Sequence, residues 1–228
     1  MRDPNAPLAA YARIIRGDAR LLAGRLDAAD ADFLEVMSTT RAAFGAVHAF
    51  LALGIRGHAR VAAERGQADS AAALLRDAIA AFGPAMRPNH HYLLSTKRSL
   101  AEVLAQRGRY AGADSILRDL IGLQRASLVK GHVEIGRALH AHGEVRLAMN
   151  DPRRAEELLR ESLAIRRAAL GETHWQVAET KSVLGAALAT QGQRAEAQPL
   201  LSNAYEVLLT QRGPASRVTR EARARLER

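Results

Sequence analysis

The chain has 228 residues, 48% of them apolar, 25% charged and only 4% aromatic, with a formal charge of +9 and no cysteine. That length and apolar content suit one large domain or one repeat array with a continuous core, and exclude an intrinsically disordered chain. The missing cysteines exclude disulfides, thiolate metal sites and cysteine nucleophiles; they fit a reducing compartment, so a cytoplasmic setting is expected.

The N-terminal stretch MRDPNAPLAAYARIIRG lacks the apolar core of a signal peptide. No later run approaches the roughly 18 uncharged apolar residues of a membrane span, so a soluble chain without membrane contact is expected. From residue 6 the sequence repeats itself at a shift of 42 residues, which divides it into units 6–47, 48–89, 90–131, 132–173 and 174–215. Four columns stay in register without insertions. Ala29, Ala71, Ala113, Ala155 and Ala197 form one; Phe33, Leu75, Leu117, Leu159 and Leu201 form another. Gly24, Gly66, Gly108, Asn150 and Gly192 form the third, and His48, His90, His132 and His174 the fourth.

Each unit reads as two helices. The ends of second helices fall at Gly83-Pro84, Gly171 and Gly213-Pro214, while Asn150-Asp151-Pro152 supplies a turn, an N-cap and a proline at the first helical position. In the fifth unit, WQVAETKSVLGAALATQG puts Val177, Leu184, Ala187 and Leu188 on one stripe, and RAEAQPLLSNAYEVLL puts Ala197, Leu201, Ala204 and Leu208 on another. Glycine or asparagine between the helices permits the left-handed backbone of a tight reversal. The alanine column is read as the closest approach of the paired helices, so Ala155→Leu should cost about 1–3 kcal/mol by overpacking. One amphipathic pair cannot bury both stripes, so neighbouring units must stack. Residues 216–228 read as one further helix, either a polar cap or the first half of another repeat.

The run Leu184-Gly185, Leu188, Gly192, Ala197, Leu201 and Ala204 resembles the tetratricopeptide repeat signature. The 42-residue period, with Leu170-Gly171-Glu172-Thr173-His174 joining two units, is similar to kinesin light chain repeats, and bacterial regulators including repeat-bearing serine/threonine kinases carry related patterns. The resemblance covers residues 6–215 and is strongest from 90 to 213. It implies an all-α, right-handed superhelical solenoid of about five antiparallel helix pairs plus a C-terminal helix, with first helices lining a concave, peptide-binding face. Kinesin-light-chain-like repeats carry asparagines in the middle of that helix. Here the matching pairs are Arg56-Gly57, Arg98-Ser99, His140-Ala141 and Ser182-Val183, a departure from that mode of cargo recognition.

The four periodic histidines invite a metal reading, but successive members would lie on the order of 10 Å apart along stacked helices, too far to share one ion. A structural role at the start of each first helix is expected instead. No Gly-rich phosphate loop, kinase signature or GxSxG elbow is present, so no enzyme, metal or cofactor is expected. Arg56, Arg98 and His140 occupy one first-helix position in three successive units, with Arg60 and Arg137 one turn away and Glu102 and Glu144 partly offsetting them. Stacked guanidinium groups suit carboxylates, so these five residues are the candidate contacts for an acidic peptide segment. The competing reading pairs them with those glutamates and gives them no ligand. The excess of arginine over lysine is also what a GC-rich genome produces regardless of function. Nucleic-acid binding needs interleaved aromatics that only Trp175, Tyr92 and Tyr110 offer. A regulatory region of a larger kinase or transcription regulator, and self-association through a terminal repeat, complete the alternatives.

Overall fold

The computed structural model describes residues 6–83 and 85–228. Eleven helices follow one another among them, with no strand: α1 Ala6–Leu22, α2 Leu26–Phe44, α3 Ala49–Glu64, α4 Ala68–Phe82, α5 His91–Gln106, α6 Tyr110–Ser127, α7 Val133–Ala148, α8 Pro152–Leu170, α9 Trp175–Thr190, α10 Arg194–Arg212 and α11 Arg217–Leu226. The all-α repeat fold read from the periodicity is the one observed. Pro84, expected to help close α4, lies outside the described residues, as do residues 1–5.

The chain divides into two compact units, Met1–Arg109 and Tyr110–Arg228. In the first, α1 packs on α2, α3 on α4, and α3 also touches α1 and α5. In the second, α7 packs on α8 and α9 on α10, while α9 also touches α7 and α11. Each unit therefore has a wall of odd-numbered helices, α1, α3 and α5 in one, α7, α9 and α11 in the other. The stripes read from the sequence are buried: Val177, Leu184, Ala187 and Leu188 on α9, and Ala197, Leu201, Ala204 and Leu208 on α10.

Capping chemistry explains the repeat columns. His48, His90, His132 and His174 are the N-caps of α3, α5, α7 and α9, and each Nδ1 accepts a hydrogen bond from a backbone N–H two residues on, at 3.1–3.3 Å. An imidazole thus does the work usually done by serine or aspartate, satisfying a donor the helix leaves open. Asp151 caps α8 by accepting from the Arg154 N–H at 3.2 Å, with Pro152 at the first position. Asn150 holds φ at 60°, standing where Gly66 takes 74°.

The alanine column is fully buried, but glycine marks a closer approach. A Cβ on Gly185 would meet Leu201 Cγ at 2.7 Å and one on Gly143 would meet Leu159 Cγ at 2.6 Å, so the leucine column lies against bare backbone of the preceding helix. The first repeat carries Phe33 in that column, and its ring abuts both Gly17 and Gly57.

Candidate functional site

On the wall of the first unit, α3 carries Arg56 and Arg60 and α5 carries Arg98. Arg60 donates to Asp18 of α1, and Arg98 Nη1 donates to Glu102 Oε1 at 2.6 Å within its own helix. Arg56 differs. Among the described residues no carboxylate lies within ion-pair distance of it; its Nε is also buried without a hydrogen-bond partner, a feature not peculiar to Arg56. Its guanidinium carbon lies 5.7 Å from the centre of the Tyr92 ring, a cation–π contact. Burial, and then the positive charges of Arg60 and Arg98, push its pKa below the ordinary value, with Asp18 acting the other way. An arginine keeps its proton regardless, so the wall holds a desolvated cation that wants an anion.

On the second unit the same positions are chemically different. Arg137 donates to Glu134, three residues earlier on α7. His140 is only 5% exposed, and its Nε2 lies 3.6 Å from Glu144 and 3.7 Å from Glu179. Arg166, from α8, is buried and donates through Nη1 to Gln176 O at 2.8 Å, Thr180 Oγ1 at 2.9 Å and Glu179 Oε2 at 3.1 Å. Arg225 of α11 reaches Ser182 Oγ at 3.3 Å and Glu144 Oε1 at 3.7 Å. Glu144 lies deep in the angle between α7, α9 and α11 yet is still reached by water. Burial and the Glu179 charge push its carboxyl up to about 7.

The structure therefore brings Arg56, Arg60 and Arg98 together in one unit and sets Arg137 and His140 among acids in the other. The sequence reading missed two things. The carboxylates Glu179 and Glu221 fall 42 and 84 residues after Arg137, so the repeat register itself carried the change of sign. It also missed His142, whose Nε2 pairs with Asp114 at 2.7 Å across helices α7 and α6, and His58, whose Nδ1 pairs with Asp30 at 2.5 Å. Among the described residues no group of three or more His, Asp or Glu side chains is placed to hold a metal ion, and no helix is long and apolar enough to cross a membrane.

Short helices stacked by pairs at a fixed period define a helical-repeat protein, a class whose walls of first helices present side chains to a ligand. Residues 92–168 match the tetratricopeptide repeat family. No curated protein matches the chain significantly. The fold is similar to that of the nearly identical tetratricopeptide-like repeats of a kinesin light chain from Podosopora anserina, with 23% identity, a TM-score of 0.72, and 93% of this chain and 100% of that one covered. It is also similar to BtubC (BKLC) from P. vanneervenii, at 17% identity and a TM-score of 0.73 over 86% of this chain and 78% of that one. YrrB, described as a tetratricopeptide-repeat protein with an unusual peptide-binding site, shares the fold at 15% identity and a TM-score of 0.54, over 93% of this chain and 90% of that one. Residues 92–168 therefore carry tetratricopeptide repeats, and the fold of the chain is like that of the kinesin light chain repeats.

Proposed function

We propose that this protein is a non-enzymatic interaction scaffold of the cytoplasm that binds an acidic polypeptide segment on the α1, α3 and α5 wall. The observation that carries the reading is the unpaired, half-buried guanidinium of Arg56 between the charges of Arg60 and Arg98. A partner carboxylate would meet Arg56 with two parallel hydrogen bonds in a partly dry site, where a charge-assisted pair is stronger than in water. Arg60 and Arg98 already hold Asp18 and Glu102 and so frame the contact. On the second unit Arg137 is tied to Glu134, and His140 lies beside Glu144 and Glu179, so the reading rests on the first unit alone. The same binding role would suit a sensor region of a larger bacterial kinase or transcription regulator, a setting that catalytic motifs elsewhere in the gene would identify.

Affinity capture from native cell extract on the immobilised chain, eluted by a salt gradient, tests this reading. The expected result is a protein released at moderate salt from the wild type and not retained by the Arg56→Glu, Arg98→Glu double variant. Equal retention on both removes it, and capture of nucleic acid in place of protein replaces it.

Self-association is a second reading, favoured by the exposed stripe of Leu8, Tyr11, Ile15 and Leu22 on α1. Two copies packed through α1 would cover it. In sedimentation equilibrium the dimer should disappear on Ile15→Glu; a monomeric wild type rejects it.

A further inference from the structure

A cavity of about 710 Å³ opens on the second unit between α7, α9, α10 and α11. Its floor is apolar: Leu147, Val183, Ala186, Ala189, Leu201 and Leu226 line it. The repeat register shows why it is there. The position occupied by Ala186 carries Asp18, Arg60, Glu102 and Glu144 in the four earlier repeats, so a methyl group stands where a long polar side chain stands elsewhere. Beside it, Ala189 stands in a column that already holds Ala63 and Ala105 as well as Leu147. The truncation at Ala186 leaves a hollow on this face of α9.

The charges around the hollow are unbalanced. Among side chains, Arg194, Arg225 and Arg228 line it against the single acid Glu144. Arg225 is engaged, at 3.7 Å from Glu144 and 3.5 Å from Glu221. Arg194 and Arg228 are exposed, and among the described residues neither takes an ion pair. A hollow with an apolar floor in the size range of small-ligand pockets, with free guanidinium groups beside it, matches a molecule with an apolar body and an anionic head.

We propose that this cavity binds a small amphipathic carboxylate, its hydrocarbon part seated on Ala186, Val183 and Leu201 and its carboxylate held by Arg194 and Arg228. The site lies wholly within the second unit and does not depend on the acidic-segment reading of Arg56. Because α11 contributes Arg225 and Leu226 to the walls, with Arg228 just beyond its end, an occupant fastens α11 to α9 and α10. The binding is therefore expected to report itself as slowed amide exchange along 217–226.

Decanoate, kept below its micelle concentration and titrated calorimetrically into the full chain, is the test, with decylammonium as the charge-reversed control. The expected result is saturable decanoate binding that Ala186→Trp abolishes, that Arg194→Glu weakens about tenfold or more, and that decylammonium does not reproduce. Ala186 faces the hollow rather than the core, so the indole should fill the site without unfolding the helix; a circular dichroism spectrum checks this. Arg194→Glu, on an exposed residue, keeps the test valid if it does not. The Arg56→Glu, Arg98→Glu variant should bind decanoate like the wild type. Absence of decanoate binding, equal affinity of decylammonium, or binding that survives both cavity variants on folded protein would overturn the proposal; the last outcome would assign the ligand to the exposed α1 stripe instead.

Discussion

His142 shows how a single buried polar residue is kept from being a liability. It is 4% exposed, and Asp114, equally buried, answers it with one carboxylate oxygen while Arg118 and Arg146 approach the same carboxylate at 2.6 and 2.7 Å. One repeat earlier the equivalent positions hold Leu100 and Ala72; the His142 pair recurs two repeats earlier as His58 and Asp30. Polar answers polar and apolar answers apolar. Asp114→Ala alone should therefore destabilise by about 1–3 kcal/mol, because it leaves a buried imidazole unanswered. Adding His142→Leu should recover most of that loss, since the pair then matches Leu100 and Ala72. Urea unfolding of the two singles and the double checks it, and a double no more stable than Asp114→Ala would sink the idea. The pH behaviour follows from the same site. Burial pushes the His142 pKa down, outweighing the Asp114 hydrogen bond. Burial alone would raise Asp114, but the His142 and Arg118 hydrogen bonds and the Arg146 charge hold it below the usual carboxylate value. Both groups bind fewer protons folded than unfolded, so both lose stability as pH falls, His142 first, below its ordinary value. Glu144 runs the other way. Its raised carboxyl binds a proton more tightly in the fold, so its contribution falls as pH rises from its ordinary value towards about 7. The groups facing it are His140 on α7, Glu179 on α9, and Arg217, Glu221 and Arg225 on α11. Glu144→Gln should raise the melting temperature near about pH 8 and have little effect near about pH 5.

Between elements, fit is set by pairs of sizes rather than by any one column. Phe33 is the one ring in a column of leucines, and the glycine it meets on α3, Gly57, is replaced by serine, alanine and valine in the later repeats. A methyl group at Gly57 would collide with the Phe33 ring, so Gly57→Ala should cost about 1–3 kcal/mol by overpacking. Phe33→Leu in the same chain should reduce that cost, and chemical unfolding would show whether it does. Helix α11 is held by fewer interactions. Ala222 is buried in a cluster with Ala178, Ala204 and Leu208, and Thr219 Oγ1 donates to Leu208 O at 3.2 Å. Ala222→Asp should free this helix and expose the apolar end of α10, seen as faster amide exchange over 217–226 while the rest of the chain keeps its protection.

For the whole molecule the surplus of arginine matters through its partners. Nearly every repeat ties an arginine to an acid, as in Arg16 and Arg20 with Asp32, Arg65 with Asp27 and Asp30, or Arg160 with Glu156 and Glu196. Glu156 and Glu172 are held below the usual glutamate value, first by hydrogen bonds from Arg160 and from Lys181 respectively. Their stabilisation is present above the ordinary carboxylate range and lost as pH falls through the lowered values. Acid also removes the negative charges that offset a formal +9, adding self-repulsion. The melting temperature should thus fall steeply below about pH 4.5, and added salt should soften the fall by screening the repulsion.

The sequence by itself determined the period, the helical class, the turns and the buried stripes, because these depend on spacing and on local backbone preference, which a chain carries residue by residue. It also located the histidine column at the helix starts. Only the tertiary structure showed that those imidazoles cap the helices, that glycine rather than alanine marks the tightest contact, and that Arg56 stands without a carboxylate while Arg60 and Arg98 have theirs. Whether a charge is paired depends on where neighbouring helices place their side chains, to within about an ångström of hydrogen-bond distance. No one-dimensional pattern fixes that placement. The hollow beside Ala186 is the same kind of fact: the small residue is written in the sequence, but an empty space exists only once four helices stand around it.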